Sequence, residues 1–143
     1  MNLSEPADLF PPNYWLVASA QSFLLPIAFA YQAEIYPTAG IYVCLWATSM
    51  YFHSTKSLLS FYLDQLAVVS AVTCSFVDGY ATYPYGLLCT LAANGYNYYV
   101  FVHAKHCSSQ DMVTRTVAHA GIHVFTSIAV TLQMILYVMK FTD

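Results

Sequence analysis

Five long apolar segments, almost free of internal charge, restrict the fold of this chain more than any other feature. They span residues 13–31, 38–54, 57–77, 83–104 and 111–140. About 17 to 25 apolar residues are enough for a helix to cross the hydrocarbon core of a bilayer. Because lipid cannot hydrogen-bond free backbone groups, and because the segments lack the alternation of barrel strands, each is expected to be a helix. The sequence therefore predicts an all-α membrane protein, a single domain with a bundle of about five transmembrane helices.

The composition supports this prediction. Hydrophobic residues make up 59% of the chain and charged residues 8%, whereas a soluble domain carries roughly 25% charged residues. The net charge of −3 and the four basic residues argue against nucleic acid as a partner. The positions of Lys56, Lys105 and Arg115 favour a cytoplasmic N-terminus. The charges at segment ends or in connections are those of Glu34, Lys56, Asp78, Lys105, Asp111, Lys140 and Asp143.

Asp64 is the exception to this distribution of charge, because it lies inside the third segment. A carboxylate within a membrane helix is unfavourable and usually marks a functional site. It is accompanied by Ser49-x3-His53 in the second segment and by His119-x3-His123 in the fifth. At a rise of 1.5 Å per residue, Asp64 and His119 lie about 10–12 Å from the same membrane face. All five side chains are therefore expected in the same half of the bilayer.

The spacing of these residues predicts a metal site. Residues four apart share one face of a helix, so His119 and His123 can both reach one ion. Catalytic zinc sites use three protein ligands and leave a fourth position for water. His53, His119 and His123 provide that number of ligands, with Zn²⁺ as the expected ion. Asp64 would then hold or deprotonate the water, and Ser49 would be a supporting or substrate-polarising hydroxyl.

Each part of the pattern also has a simpler explanation. A pair of histidines on one helix is often only packed or interfacial, and a serine in a membrane helix usually hydrogen-bonds the backbone. Asp64 alone could be a structural carboxylate held by a tyrosine or serine of a neighbouring helix. His103, at the end of the fourth segment, and His106, in the loop that follows it, are expected to be interfacial. A metal site is favoured only because the five residues occur together, in order and at matching depth.

The run from Ser49 to Asp64, SMYFHSTKSLLSFYLD, and the later His119-x3-His123 resemble the CREST superfamily of membrane hydrolases. This superfamily includes the alkaline ceramidases, the progestin and adipoQ receptors and the Per-type GPI-remodelling proteins. The His-to-Asp spacing is closest to the alkaline ceramidase branch. The resemblance implies that His53 and the later histidine pair bind zinc and that Asp64 and Ser49 complete the site. The family has seven helices, whereas five are predicted here.

Two functions of different classes are compatible with these residues. The first is an integral-membrane, zinc-dependent hydrolase that cleaves the amide or ester bond of a membrane lipid and is ceramidase-like by resemblance. The second is a non-catalytic structural subunit of a larger membrane complex, which keeps a CREST-like fold and can retain zinc as a structural ion. Its partners would be other membrane subunits. The short chain and the polar fourth segment, with Asn94 and Asn97, motivate this alternative. A receptor-like protein with residual hydrolase activity is not separated from the first function by the sequence.

Two smaller predictions concern helix geometry. Pro26 predicts a kink in the first helix, because proline interrupts the backbone hydrogen bonds of a helix. Gly86, Gly95 and Gly121 are predicted positions of close approach between helices, since glycine has no side chain to keep two backbones apart.

Overall fold

The computed structural model describes residues 12–55, 57–106 and 112–141, without the side chains of residues 101, 103–106 and 112. The described residues form five helices and no strand, which confirms the expected all-α bundle. The helices are α1 Tyr14–Gln32, in which a 3-10 turn Gln21–Phe23 joins Tyr14–Ala20 to Leu24–Gln32, α2 Tyr36–Thr55, α3 Leu58–Ala81, α4 Tyr85–His106 and α5 Met112–Phe141.

The helices follow one another around the bundle in chain order. α1 packs against α2 and α5, α3 packs against α2 and α4, and α4 returns to α5. Because the connections are short, consecutive helices run in opposite directions. Asn13, at the start of α1, donates from its backbone N–H to the carbonyl oxygen of His53 over 3.0 Å and from Nδ2 to Oγ1 of Thr116 over 2.8 Å. These bonds place the beginning of α1, the end of α2 and the beginning of α5 at one end of the bundle.

The third helix is longer than the sequence indicated. It was expected to end at residue 77, with Asp78 in the following connection, but α3 continues to Ala81 and Asp78 is only 8% exposed. The Thr38 hydroxyl donates to Oδ2 of Asp78 over 2.9 Å, and Nζ of Lys140 donates to the carbonyl oxygen of Ala81 over 2.7 Å. These donors satisfy the buried carboxylate and the helix end, and this is why the helix extends one turn past the apolar segment.

The irregularity in α1 lies one turn before Pro26. The 3-10 turn Gln21–Phe23 interrupts the helix there. Pro26 has no N–H to offer the carbonyl of Ser22, four residues earlier, and its ring crowds that carbonyl. A tighter turn around Ser22 accommodates both effects, and it sets the path along which α1 passes α5.

The third helix, α3, buries its polar residues and exposes its large apolar ones. The buried side of α3 carries only small or polar residues, namely Ser60, Asp64, Ala67, Ala71, Ser75, Asp78 and Gly79. Its exposed side includes Leu59, Tyr62, Leu66, Val69 and Val77. A soluble protein rarely exposes so continuous an apolar surface. Among the described helices α1, α3 and α5 are long and apolar enough to cross a membrane, and a bilayer environment accounts for this distribution.

Candidate metal centre

Three imidazole rings meet at the end of the bundle where α2 ends. His53 lies in the last turn of α2, and His119 and His123 lie one turn apart on α5. Each histidine offers one ring nitrogen, and these three nitrogens all lie within 4.8 Å of one another. The ring centroids are separated by 4.9 Å for His53 and His119, 5.3 Å for His53 and His123, and 5.1 Å for His119 and His123. The structure therefore brings together the three histidines that the sequence pattern predicts as ligands.

The donor set and its spacing fit a single transition-metal ion. Imidazole nitrogen is a preferred ligand of Zn²⁺. Tetrahedral coordination with Zn–N distances of 2.0–2.1 Å separates the ligand atoms by roughly 3.3 Å. The observed separations, at most 4.8 Å, are close enough for small rotations of the three rings to bring them onto one ion. His53 and His123 are buried, at 1% and 3% exposure, so a bound ion would be largely shielded from water.

Aromatic rings and backbone contacts hold the histidines in place. The ring of Phe52 lies 5.1 Å from that of His53, and the ring of Phe23 lies 5.3 Å from that of His123. Asn13 binds the backbone carbonyl of His53 and so links the end of α2 to the start of α1. Helices α1, α2 and α5 thus all contribute to positioning the cluster.

Ser49 and Asp64 form a buried pair beside the histidine-bearing turn of α2. The hydroxyl of Ser49 donates to Oδ1 of Asp64 over 2.7 Å, and the two residues are 3% and 6% exposed. Ser49 precedes His53 by one turn and so lies on the same face of α2. A short O–H···O⁻ bond of this kind stabilises a carboxylate that has lost its contact with water. The structure joins these two predicted site residues directly.

A cavity of about 70 Å³ lies in the middle of the bundle and is lined by residues of all five helices. His123 and Ser49 reach it from α5 and α2, and Asn97 reaches it from α4. A cavity of this kind needs roughly 10–15 Å³ to hold one water, so this one has room for several waters or one small polar group.

Ser19 is a site residue that the sequence pattern did not predict. Its Oγ lies 2.8 Å from Nδ1 of His123. A single serine in an apolar helix carries no motif and usually binds its own backbone, so the sequence holds no signal that distinguishes Ser19 from other serines. The side chains of His103 and His106, expected at the interface, lie outside the described residues.

Comparisons with known proteins identify no relative of this chain: no family model, no curated protein and no solved structure matches it significantly. Among the described residues, fold and site together define a five-helix bundle with three membrane-compatible helices and a cluster of three histidines, of which His53 and His123 are buried. The function is accordingly argued from the chemistry of this site.

Proposed function

We propose that the protein is an integral-membrane, zinc-dependent hydrolase that cleaves the amide or ester bond of a membrane lipid. The observation that carries this proposal is the hydrogen bond between Asp64 and Ser49, the residue one helical turn before His53 of the three-histidine cluster. A set of metal ligands and a proton-transferring carboxylate are the parts that hydrolysis of a carbonyl compound requires. The residue pattern shared with CREST hydrolases supports the same chemistry and favours a ceramide-like amide as substrate.

His53, His119 and His123 would hold the zinc ion. When bound, zinc supplies a Lewis acid that polarises a carbonyl oxygen and makes water a stronger nucleophile at neutral pH. Three neutral imidazole ligands leave the positive charge of the ion undiminished. This favours a catalytic zinc ion that acts as a Lewis acid over a purely structural one. The aromatic neighbours Phe23 and Phe52 exclude bulk water from two of the three rings.

Asp64 and Ser49 would act in sequence. Asp64 accepts a proton from the attacking water and later returns it to the leaving nitrogen or oxygen. In the structure the single hydroxyl proton of Ser49 is directed at Oδ1 of Asp64. Once Asp64 has taken up a proton it no longer requires this donor, and the hydroxyl can turn toward the negative charge that develops on the substrate oxygen. The pair thus links proton uptake to stabilisation of the oxyanion.

The membrane arrangement we propose has all five helices crossing the bilayer. α1, α3 and α5 meet the length and hydropathy requirements by themselves. α2 lies between α1 and α3, and α4 lies between α3 and α5, so both run alongside a membrane-compatible helix on either side. A lipid would then approach the site from the side, with its chains in the bilayer and its scissile group in the central cavity.

A direct test is the release of fatty acid from defined lipids by the purified, zinc-loaded protein. The substrates are a ceramide and an ester with the same acyl chain, and the product is measured by mass spectrometry. We expect wild type to release fatty acid and Asp64→Asn to lower the rate by about 10²–10⁴-fold through loss of the proton acceptor. Ser49→Ala should lower the rate by about 10–10³-fold through loss of a hydrogen bond to the oxyanion.

Thr48→Ala is the matched control for these variants. Thr48 precedes Ser49, but its hydroxyl donates to the carbonyl oxygens of Cys44 and Leu45 within α2. The control should therefore retain wild-type activity. The proposal is contradicted if zinc-loaded wild type hydrolyses neither lipid, or if Asp64→Asn is as active as wild type.

A further inference from the structure

We propose that Ser19 of α1 is a positioning residue of the metal site and that it fixes the tautomer of His123 that offers Nε2 to the ion. This inference rests on the proposed function, because it concerns a ligand of the proposed zinc ion. It adds a role for α1, whereas the sequence pattern of the site is confined to α2, α3 and α5.

The direction of the hydrogen bonds at Ser19 follows from its partners. Its hydroxyl donates to the carbonyl oxygen of Leu16 over 3.0 Å, and its Oγ lies 2.8 Å from Nδ1 of His123. A carbonyl oxygen can only accept, and a serine hydroxyl has one proton to give. The hydroxyl can rotate between the two partners; in the proposed arrangement its proton is directed at Leu16, and Nδ1–H of His123 then donates to the serine oxygen.

This arrangement determines which nitrogen of His123 is available to a cation. A neutral imidazole carries one proton, so protonation at Nδ1 leaves the lone pair on Nε2. A metal-bound histidine typically donates its other N–H to a fixed acceptor, which orients the ring and increases its basicity. His123 is 3% exposed and packs against Phe23, so its ring is held beside Ser19. Ser19 therefore supplies the acceptor that a zinc-binding His123 needs.

A second hydroxyl contact on α1 provides a matched control. Ser22 lies three residues after Ser19, and its Oγ is 3.0 Å from Oγ of Ser127 on α5. Both serines join α1 to α5, but only Ser19 contacts a ring nitrogen. Loss of general packing between the two helices would affect both variants, whereas loss of the positioning role would affect Ser19 alone.

The experiment compares zinc affinity in the full-length wild type, Ser19→Ala, Ser19→Thr and Ser22→Ala, by competition with a chromophoric chelator. We expect Ser19→Ala to weaken zinc binding by about 10–100-fold. Ser19→Thr, which keeps the hydroxyl, should restore most of the affinity, and Ser22→Ala should bind as wild type does. Nitrogen NMR of labelled histidine in the metal-free proteins should show His123 protonated at Nδ1 in wild type and a mixture of tautomers in Ser19→Ala.

The inference is overturned if Ser19→Ala keeps the affinity and the tautomer of wild type, or if Ser22→Ala loses as much affinity as Ser19→Ala. Its failure is distinguishable from failure of the proposed function. If wild type binds no zinc, the proposed function fails. The role of Ser19 at a metal fails with it, whereas zinc binding by wild type that Ser19→Ala leaves unchanged overturns the inference alone.

Discussion

Two aspartates are buried on α3, and their neighbours give them different roles. Asp64 accepts a hydrogen bond from Ser49, next to the turn of α2 that carries His53. Asp78 accepts one from Thr38, and Sγ of Cys74 lies 3.5 Å from the same oxygen. The two carboxylates are about 21 Å apart along the helix axis. Asp78 therefore joins α2 to α3 at the opposite end of the bundle, and Asp64 is the carboxylate available to the histidine cluster.

How far single residues could be predicted depends on how unusual they are in their surroundings. Asp64 and the three histidines were recognisable because ionisable side chains are rare in apolar segments. Ser19 was not, because its role arises from the packing of α1 on α5 and a helical serine is common. Asp78 was assigned to a connection because the hydropathy pattern ends before it, and only the partners Thr38 and Cys74 account for its burial.

At the scale of elements, a close contact between helices lies near the connection between α3 and α4. A Cβ on Gly79 would collide with Oγ1 of Thr90 and would lie 3.0 Å from Nε2 of Gln133 and 3.1 Å from the carbonyl oxygen of Gly86. The same Nε2 donates to the carbonyl oxygens of Ser75 and Gly86, both at 3.1 Å, and to Oγ1 of Thr90. α3, α4 and α5 therefore meet around Gly79, where the neighbouring atoms leave no room for a side chain.

This contact predicts opposite effects for two glycine substitutions. Gly79→Ala should destabilise the folded protein by about 1–3 kcal/mol, because the neighbours of the new methyl group must move. Gly95→Ala should be neutral or stabilising by up to about 1 kcal/mol, since nothing lies within 4 Å of its added Cβ and alanine favours a helix. Thermal unfolding in detergent, followed by tryptophan fluorescence, measures both. Equal stability of the two variants would contradict the described contact.

The predictions for the helices were accurate for features that depend on hydropathy and inaccurate for features that depend on how the helices pack. The number and type of the helices followed from the five apolar segments. Close approach was predicted at three glycines and was wrong at Gly95. It was confirmed at Gly121, where a Cβ would meet Oη of Tyr96, and at Gly86, where a Cβ would lie 3.2 Å from the carbonyl oxygen of Gly79. Gly79 was not considered because the helix was expected to end before it. A glycine's partners depend on the rotation of each helix about its axis, which the sequence pattern alone did not determine.

At the scale of the whole molecule, the proposed five crossings can be tested by cysteine labelling in sealed vesicles. In a variant whose four native cysteines are replaced by serine, single cysteines are introduced at Gln32, Ser54, Tyr83 and Ser108. We expect Gln32→Cys and Tyr83→Cys to react from one side of the membrane and Ser54→Cys and Ser108→Cys from the other. The physical reason is that each short connection reverses the chain between antiparallel helices. Labelling of positions 32 and 54 from the same side would show that α2 does not cross.

The membrane character of the molecule could be predicted from composition, because 8% charged residues cannot cover the surface of a soluble bundle of this length. The central cavity could not be predicted. Its lining includes the small residues Ala71 of α3 and Ala93 of α4 together with Asn97, and these come together only when the helices are packed.

The central claim is that His53, His119 and His123 bind one metal ion, and metal content per chain tests it most directly. Wild type and His119→Ala are purified in detergent, equilibrated with zinc, freed of excess metal and measured by inductively coupled plasma mass spectrometry. The three-histidine cluster predicts about one zinc per wild-type chain and a loss of most of it in His119→Ala. No zinc in wild type, or equal zinc in both proteins, would contradict the claim and favour a structural subunit without a catalytic metal.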